Sequence, residues 1–117
     1  MKRLSKKALD GNVETLLMAI LEKGPSYGYK IVQELNDLAP HHLKMGEGTV
    51  YPVLHRLEER KLIKPEWKAG ETGRQRKYYS LTTSGERAFA ANREEWAALT
   101  KVMSSILGDN SAQPQPA

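Results

Sequence analysis

Cysteine is absent from all 117 residues, which excludes a disulfide framework, a thiolate metal site and a cysteine-based redox switch. Long apolar runs are missing as well. No stretch approaches the roughly 18 consecutive residues that a membrane span needs, so neither a transmembrane helix nor a membrane partner is expected. The basic opening MKRLSKKAL is not followed by an export-type apolar segment, because the later apolar residues are interrupted by charges. A cytoplasmic protein is the expectation. There is no nucleophile elbow, phosphate-binding glycine loop or paired-carboxylate motif, so neither an enzyme nor a cofactor is expected. His41 and His42 have no carboxylate or thiolate at coordinating spacing; they read as a solvated loop, and no metal is expected.

What is present fits one modest domain. Hydrophobic residues make up 39% and charged residues 27% of the chain, within the range of soluble globular proteins. The net charge of +4 is unevenly spread. Residues 1–7 contribute +4 through Lys2, Arg3, Lys6 and Lys7, residues 61–77 contribute another +4, and the remainder sums to −4. Single basic runs are common on solvated surfaces. Two runs on a weakly acidic body are the pattern expected of a protein that grips a polyanion in one orientation.

Between those runs lies Gly46–Lys61, GEGTVYPVLHRLEERK. Val50, Val53, Leu54 and Leu57 recur at i, i+3, i+4 and i+7, the spacing of an inward helical face. The opposite face carries Pro52, His55 and Arg56, flanked by Thr49 and Tyr51. Gly48 or Thr49 suits the N-cap, which starts the helix near Thr49 and places Pro52 in the first turn, where its missing N–H has no intrahelical role. An exposed leading end with hydroxyl, aromatic and cationic groups suits a DNA major groove. An ordinary amphipathic surface helix would show the same periodicity, so the flanking segments decide.

Upstream, Asn12 is placed to cap a helix with Val13, Leu16, Leu17 and Ile20 on one face, ending at Gly24-Pro25. Ser26 is placed to cap a second, with Tyr27, Ile31, Leu35 and Leu38 at helical spacing and a stop before Pro40. Gly28 in its first turn leaves room for close packing. Two helices, a polar connection and a third exposed helix make a helix-turn-helix core. Downstream, residues 62–67 and 77–81 read as a β-hairpin around AGETGRQR, with Pro65 suited to an edge strand. Such a hairpin is a wing, and Arg74, Arg76 and Lys77 can reach phosphates or the adjacent minor groove from it.

Thr83 and Glu86 have capping-box spacing and open a helix reaching Leu107. Phe89, Trp96 and Met103 recur every seven residues, as do Asn92, Leu99 and Ile106, a short a/d seam. A helix of about 25 residues spans roughly 37 Å, too long for full burial on so small a body, so the seam is expected to pair with a second copy. Folding back of all six onto the chain's own core is the alternative. Beyond the helix, DNSAQPQPA is polar and proline-bearing and is expected to be disordered.

The run Gly48-Thr49-Val50-Tyr51-Pro52-Val53-Leu54-His55-Arg56-Leu57-Glu58, followed by Leu62-Ile63 and by Arg76-Lys77-Tyr78-Tyr79-Ser80-Leu81-Thr82-Thr83-Ser84-Gly85, strongly resembles the PadR family of bacterial transcriptional regulators. Tyr27-Gly28-Tyr29 after Gly24-Pro25 matches that family too, and the likeness covers roughly residues 9–106. It is closest to the short subtype with a single C-terminal dimerisation helix. The resemblance implies a dimeric repressor released from its operator by phenolic or drug-like aromatic compounds.

The expectation is therefore a mainly α protein with a small β-hairpin: a winged helix-turn-helix over 1–81, a dimerisation helix over 82–107 and a tail over 108–117. Thr49, Tyr51, Pro52, His55 and Arg56 are expected in the groove of a pseudo-palindromic double-stranded operator. Arg74, Arg76 and Lys77 are expected on phosphates or in the minor groove, and Lys6 and Lys7 on the backbone. Phe89, Asn92, Trp96, Leu99, Met103 and Ile106 are expected at a homodimer interface, with Trp96, Phe89 and Met103 around an aromatic effector. Trp96 as plain dimer core is the alternative to an effector cleft. A winged-helix protein–protein interaction module that never touches DNA is the rival function.

Overall fold

Three amphipathic helices bury their apolar faces together, as the spacing requires. Leu17, Met18, Ile20 and Leu21 come from α2 (Val13–Glu22), Ile31 and Leu35 from α3 (Gly28–Leu38), and Val50, Val53, Leu54 and Leu57 from α4 (Glu47–Glu59). The computed structural model describes residues 3–108; Lys2 of the basic arm and the expected disordered tail after Gly108 lie outside the described residues. A single turn, α1 (Lys6–Leu9), precedes the core, β1 (Ser26–Tyr27) joins α2 to α3, and β2 (Ile63–Ala69) and β3 (Gln75–Leu81) follow α4. The last element, α5 (Thr83–Leu107), runs out from the body, and the principal extents are 61 × 29 × 23 Å.

The sheet is antiparallel with order β1-β3-β2, so the wing is three-stranded rather than a lone hairpin. Ser26 and Tyr27 pair with Tyr79 and Tyr78. Ser26 is thus a strand residue and does not cap α3; Tyr27 occupies that N-cap position without a side-chain bond. Pro65 lies on β2, an edge strand, where its missing N–H breaks no ladder.

Other boundaries move by small amounts for identifiable reasons. Thr82, not Thr83, caps α5, its Oγ1 accepting from the Gly85 N–H at 3.0 Å. Asn12 makes no cap bond; its Nδ2 donates to the Ala8 carbonyl at 3.1 Å and ties α1 to α2. The connection before α4 is not purely polar, since Leu43 and Met45 are buried. Asn36 secures it, donating to the Met45 carbonyl and accepting from the Met45 N–H, both at 2.8 Å.

The segment after α4 decides where the wing and α5 attach. Lys61 takes positive φ, 61°, while the Leu62 N–H donates to the Leu57 carbonyl at 3.0 Å and the Lys61 N–H to the Glu58 carbonyl at 2.9 Å. This pair of bonds is a Schellman termination, with lysine at the position that favours glycine. Thr82 Oγ1 donates to the Lys61 carbonyl at 2.7 Å and the Thr82 N–H to the Leu62 carbonyl at 3.0 Å. A Cβ on Gly85 would stand 1.9 Å from the Leu62 oxygen, so only glycine allows this approach. Two substitutions should therefore act in opposite directions in urea unfolding. Gly85→Ala is expected to cost about 3 kcal/mol, the upper end of overpacking, because the obstruction is backbone. Lys61→Gly is expected to gain about 1 kcal/mol by relieving the left-handed strain.

Candidate nucleic-acid interface

The outward face of α4 is exposed along Thr49, Pro52, His55 and Arg56, with Val50, Val53, Leu54 and Leu57 turned into the core. The helix starts two residues earlier than expected. Gly46 is the N-cap, and its carbonyl accepts from the Thr49 and Val50 N–H groups at 3.2 and 3.1 Å. Pro52 consequently lies inside the helix, in its second turn. Its ring leaves the Gly48 carbonyl without its usual i+4 donor, tolerable because both residues are exposed.

Tyr51 departs from the expected outward pose. It is half-buried, and its ring covers Gly28 so closely that a Cβ there would meet the ring carbon Cε1 at 2.3 Å. Gly28 therefore permits α3 and α4 to meet through the Tyr51 ring. Burial, then the Glu47 carboxylate, then Tyr79 push the Tyr51 hydroxyl above its ordinary pKa.

Basic groups flank α4 on both sides. A concavity of about 570 Å³ collects Lys6, Lys44, Thr49 and Arg56 around the start of α4, with Asp10 and Glu14 also on its walls. Sequence reading passed over Lys44, a lone cation in a segment read only as a connection. On the wing side a cleft of about 430 Å³ is bordered by Tyr29, Tyr51, His55, Arg76 and Lys77. Arg74 is exposed at the hairpin tip, where the Gly70 N–H donates to its carbonyl at 2.6 Å. Lys7 is exposed on α1, whose cap Ser5 accepts from the Ala8 N–H at 3.1 Å.

Lys77 is not an open cation. Its Nζ donates to Glu58 Oε1 at 3.1 Å and lies 5.2 Å from the Tyr79 ring centroid. Burial alone would lower its pKa, but the bonds to Glu58 and Tyr79 outweigh this and raise it.

The expected seam on α5 divides. Phe89 is only 6% exposed and belongs to the chain's own core. Asn92 Nδ2 donates to Thr15 Oγ1 of α2 at 3.0 Å. These two residues therefore face inward to α2, because α5 lies against that helix before it leaves the body. Trp96, Leu99, Met103 and Ile106 remain exposed, Trp96 by 59%. Val102 and Leu107 widen the apolar strip. Trp96 also borders a hollow of about 560 Å³ against Leu4, Leu9, Leu16 and Leu43 of the same chain. Phe89 is not on that hollow, so the expected trio around Trp96 is not assembled within one chain.

Among the described residues no helix is long and apolar enough to cross a membrane. His41 and His42 are exposed in the turn after α3.

Comparison with known proteins follows the same lines. The profile of the Transcriptional regulator PadR-like family matches residues 17–91. A transcriptional regulator from Mycobacterium tuberculosis is 35% identical over 75 residues, covering 64% of this chain and 66% of that one. A PadR-like transcriptional regulator from Bacillus cereus superposes with TM-score 0.80 at 28% identity, over 90% of this chain and 100% of that one. A PadR family regulator from Clostridium difficile gives 0.75 at 35% identity, over 84% of this chain and 100% of the other.

The Lys77 and Tyr51 shifts carry a pH consequence of definite sign. Both groups hold their protons more tightly folded than unfolded, so stability is intact below the ordinary tyrosine and lysine values of 10.0 and 10.5 and falls as pH rises above them. Urea unfolding across that alkaline window should show the decline, and Lys77→Met should make it shallower.

Proposed function

Because the chain belongs to the PadR-like family of transcriptional regulators, we propose that it is a dimeric, sequence-specific DNA-binding repressor whose hold on its operator is released by a small aromatic effector. One observation carries this reading. The exposed leading face of α4 stands between two concavities that both present cations, Lys6 and Lys44 on one side and Arg76 on the other. Thr49, Pro52, His55 and Arg56 enter the major groove and read base edges. Tyr51, committed to Gly28, sets the pose of α4 instead of reading bases. Arg74 and Arg76 reach phosphates or the minor groove from the wing, and Lys6 and Lys7 contact the backbone.

The second copy covers α5. Trp96, Leu99, Met103 and Ile106 continue the line that Phe89 and Asn92 begin against α2, and nothing in the same chain continues the cover. An aromatic effector enters beside Trp96, where Leu4, Leu9, Leu16 and Leu43 supply an apolar wall, and alters the relation between the two copies.

Sedimentation tests the dimer. Trp96→Glu combined with Leu99→Glu is expected to halve the mass, because two carboxylates in a desolvated seam are strongly unfavourable; wild-type mass in that variant refutes the seam.

Selection from a random duplex pool tests DNA recognition. The expected site is a pseudo-palindrome with half-sites about 34 Å, or a multiple of that, apart. Arg74→Ala should weaken binding to all sequences. Arg56→Ala should change sequence preference, by about 1–3 kcal/mol for a bidentate contact. Planar aromatic compounds added to the complex are expected to release the DNA. Absence of duplex binding even at low salt would favour a protein–protein interaction module.

A further inference from the structure

Arg76, Lys77 and Tyr29 border one cleft, yet each is held differently. Lys77 spends its charge on Glu58 at 3.1 Å. Arg76 instead lies with its guanidinium carbon 4.3 Å from the Tyr27 ring centroid. That ring is itself braced edge-on by Tyr78, with centroids 5.2 Å apart. Stacking engages the flat face of a guanidinium and leaves the N–H groups along its edge available for a bidentate acceptor. Among the described residues no carboxylate lies within ion-pair distance of Arg76.

Tyr29, 55% exposed near the start of α3, supplies a second donor. Its hydroxyl accepts from Gln33 Nε2 at 3.4 Å, which occupies a lone pair and leaves the O–H proton to seek another acceptor. His55 reaches the same cleft from α4, and no carboxylate is among the residues that line it. The concavity on the other side of α4, by contrast, holds Asp10 and Glu14 with its cations. A cleft of donors without acids, open beside the exposed face of α4, is chemically matched to an anion that lies next to that helix.

We propose that this cleft seats one backbone phosphate of duplex DNA in each half-site, held by the Arg76 guanidinium and the Tyr29 hydroxyl, while Lys77 belongs to the protein's internal bracing and contacts no DNA. This rests on the DNA-binding reading above and adds to it a donor, Tyr29, and a division of labour between adjacent wing cations. Tyr51 and Gly28 act as positioning residues, since they set how far α3, and with it Tyr29, stands from α4.

Duplex binding measured over a series of salt concentrations separates the three roles. Tyr29→Phe keeps the ring and removes one neutral donor to a charged acceptor; it is expected to weaken operator and random duplex alike by about tenfold, with the salt dependence unchanged. Arg76→Gln is expected to reduce the slope of log K against log salt by about 1, whereas Lys77→Met leaves the slope as it was. Operators carrying one neutral methylphosphonate linkage per half-site then locate the contact. One linkage position should weaken the wild type and have no further effect on the Tyr29→Phe, Arg76→Gln double variant. Inorganic phosphate at constant ionic strength should not compete.

The proposal is overturned if the wild type binds DNA and the Tyr29 and Arg76 variants match it. A slope change in Lys77→Met but not in Arg76→Gln would also overturn it, as would additivity of the double variant with every linkage position. Displacement of DNA by inorganic phosphate in the wild type alone would make the cleft a free-phosphate site. Wild-type protein that binds no duplex at low salt removes the DNA reading itself, and this assignment with it.

Discussion

The first turn of α5 comes so close to the Leu62 carbonyl that position 85 has room only for a hydrogen. Three otherwise separate pieces of chain are referred to that approach: the end of α4, the end of β3 and the start of α5. Thr82 serves all three. Its hydroxyl oxygen caps α5, its hydroxyl proton goes to the Lys61 carbonyl, and its backbone N–H goes to the Leu62 carbonyl. Lys61 adopts a left-handed backbone at this point, costing about 1–2 kcal/mol for a non-glycine residue. The strained turn persists because the carbonyls it presents are the ones Thr82 uses. The orientation of α4 relative to the wing and to α5 is thus a backbone property, insensitive to the identity of most surface side chains.

The charges are distributed by a different logic. Glu58 and Glu14 lie on the body and draw in Lys77 and Arg60, the latter at 2.6 Å. The Arg60 pair is more than half exposed on the arginine side and contributes little to stability in salt. Its effect is on which cations remain outward. With Lys77 and Arg60 engaged, the open cations around α4 are Lys6, Lys44, Arg56, Arg74 and Arg76, a smaller set than the basic runs of the sequence suggest. Net charge overstates what a polyanion would meet, because it counts cations that the fold has already paired.

Sequence periodicity was most informative where burial is one-sided. The inward faces of α2, α3 and α4 follow from spacing alone, and so do the hairpin and the length of α5. Spacing was silent on β1, because two residues have no period and Ser26-Tyr27 earns its strand pairing only from β3. It misplaced Tyr51, since a helical wheel assigns a direction but does not know that Gly28 opens a socket in the neighbouring helix. It also assigned all six α5 seam residues to one role. Phe89 and Asn92 share their face with Trp96 and Leu99, and the change from inward to exposed along that face depends on where α2 ends beside it. Lys77 and Arg76 are adjacent and chemically alike in the chain; β-alternation sends one toward Glu58 and the other onto Tyr27.

Past Asn92, its last side-chain bond to α2, α5 runs on by 15 residues to Leu107, or about 22 Å at helical rise. Mechanically this is a cantilever. A tilt of about 5° at its root carries the tip through about 2 Å, while the root itself, clamped by Thr82 and Gly85 to the end of α4, moves by a small fraction of that. Force applied at Ile106 therefore arrives at α4 as torque with a long arm, whereas the same force applied at Phe89 is absorbed by the core.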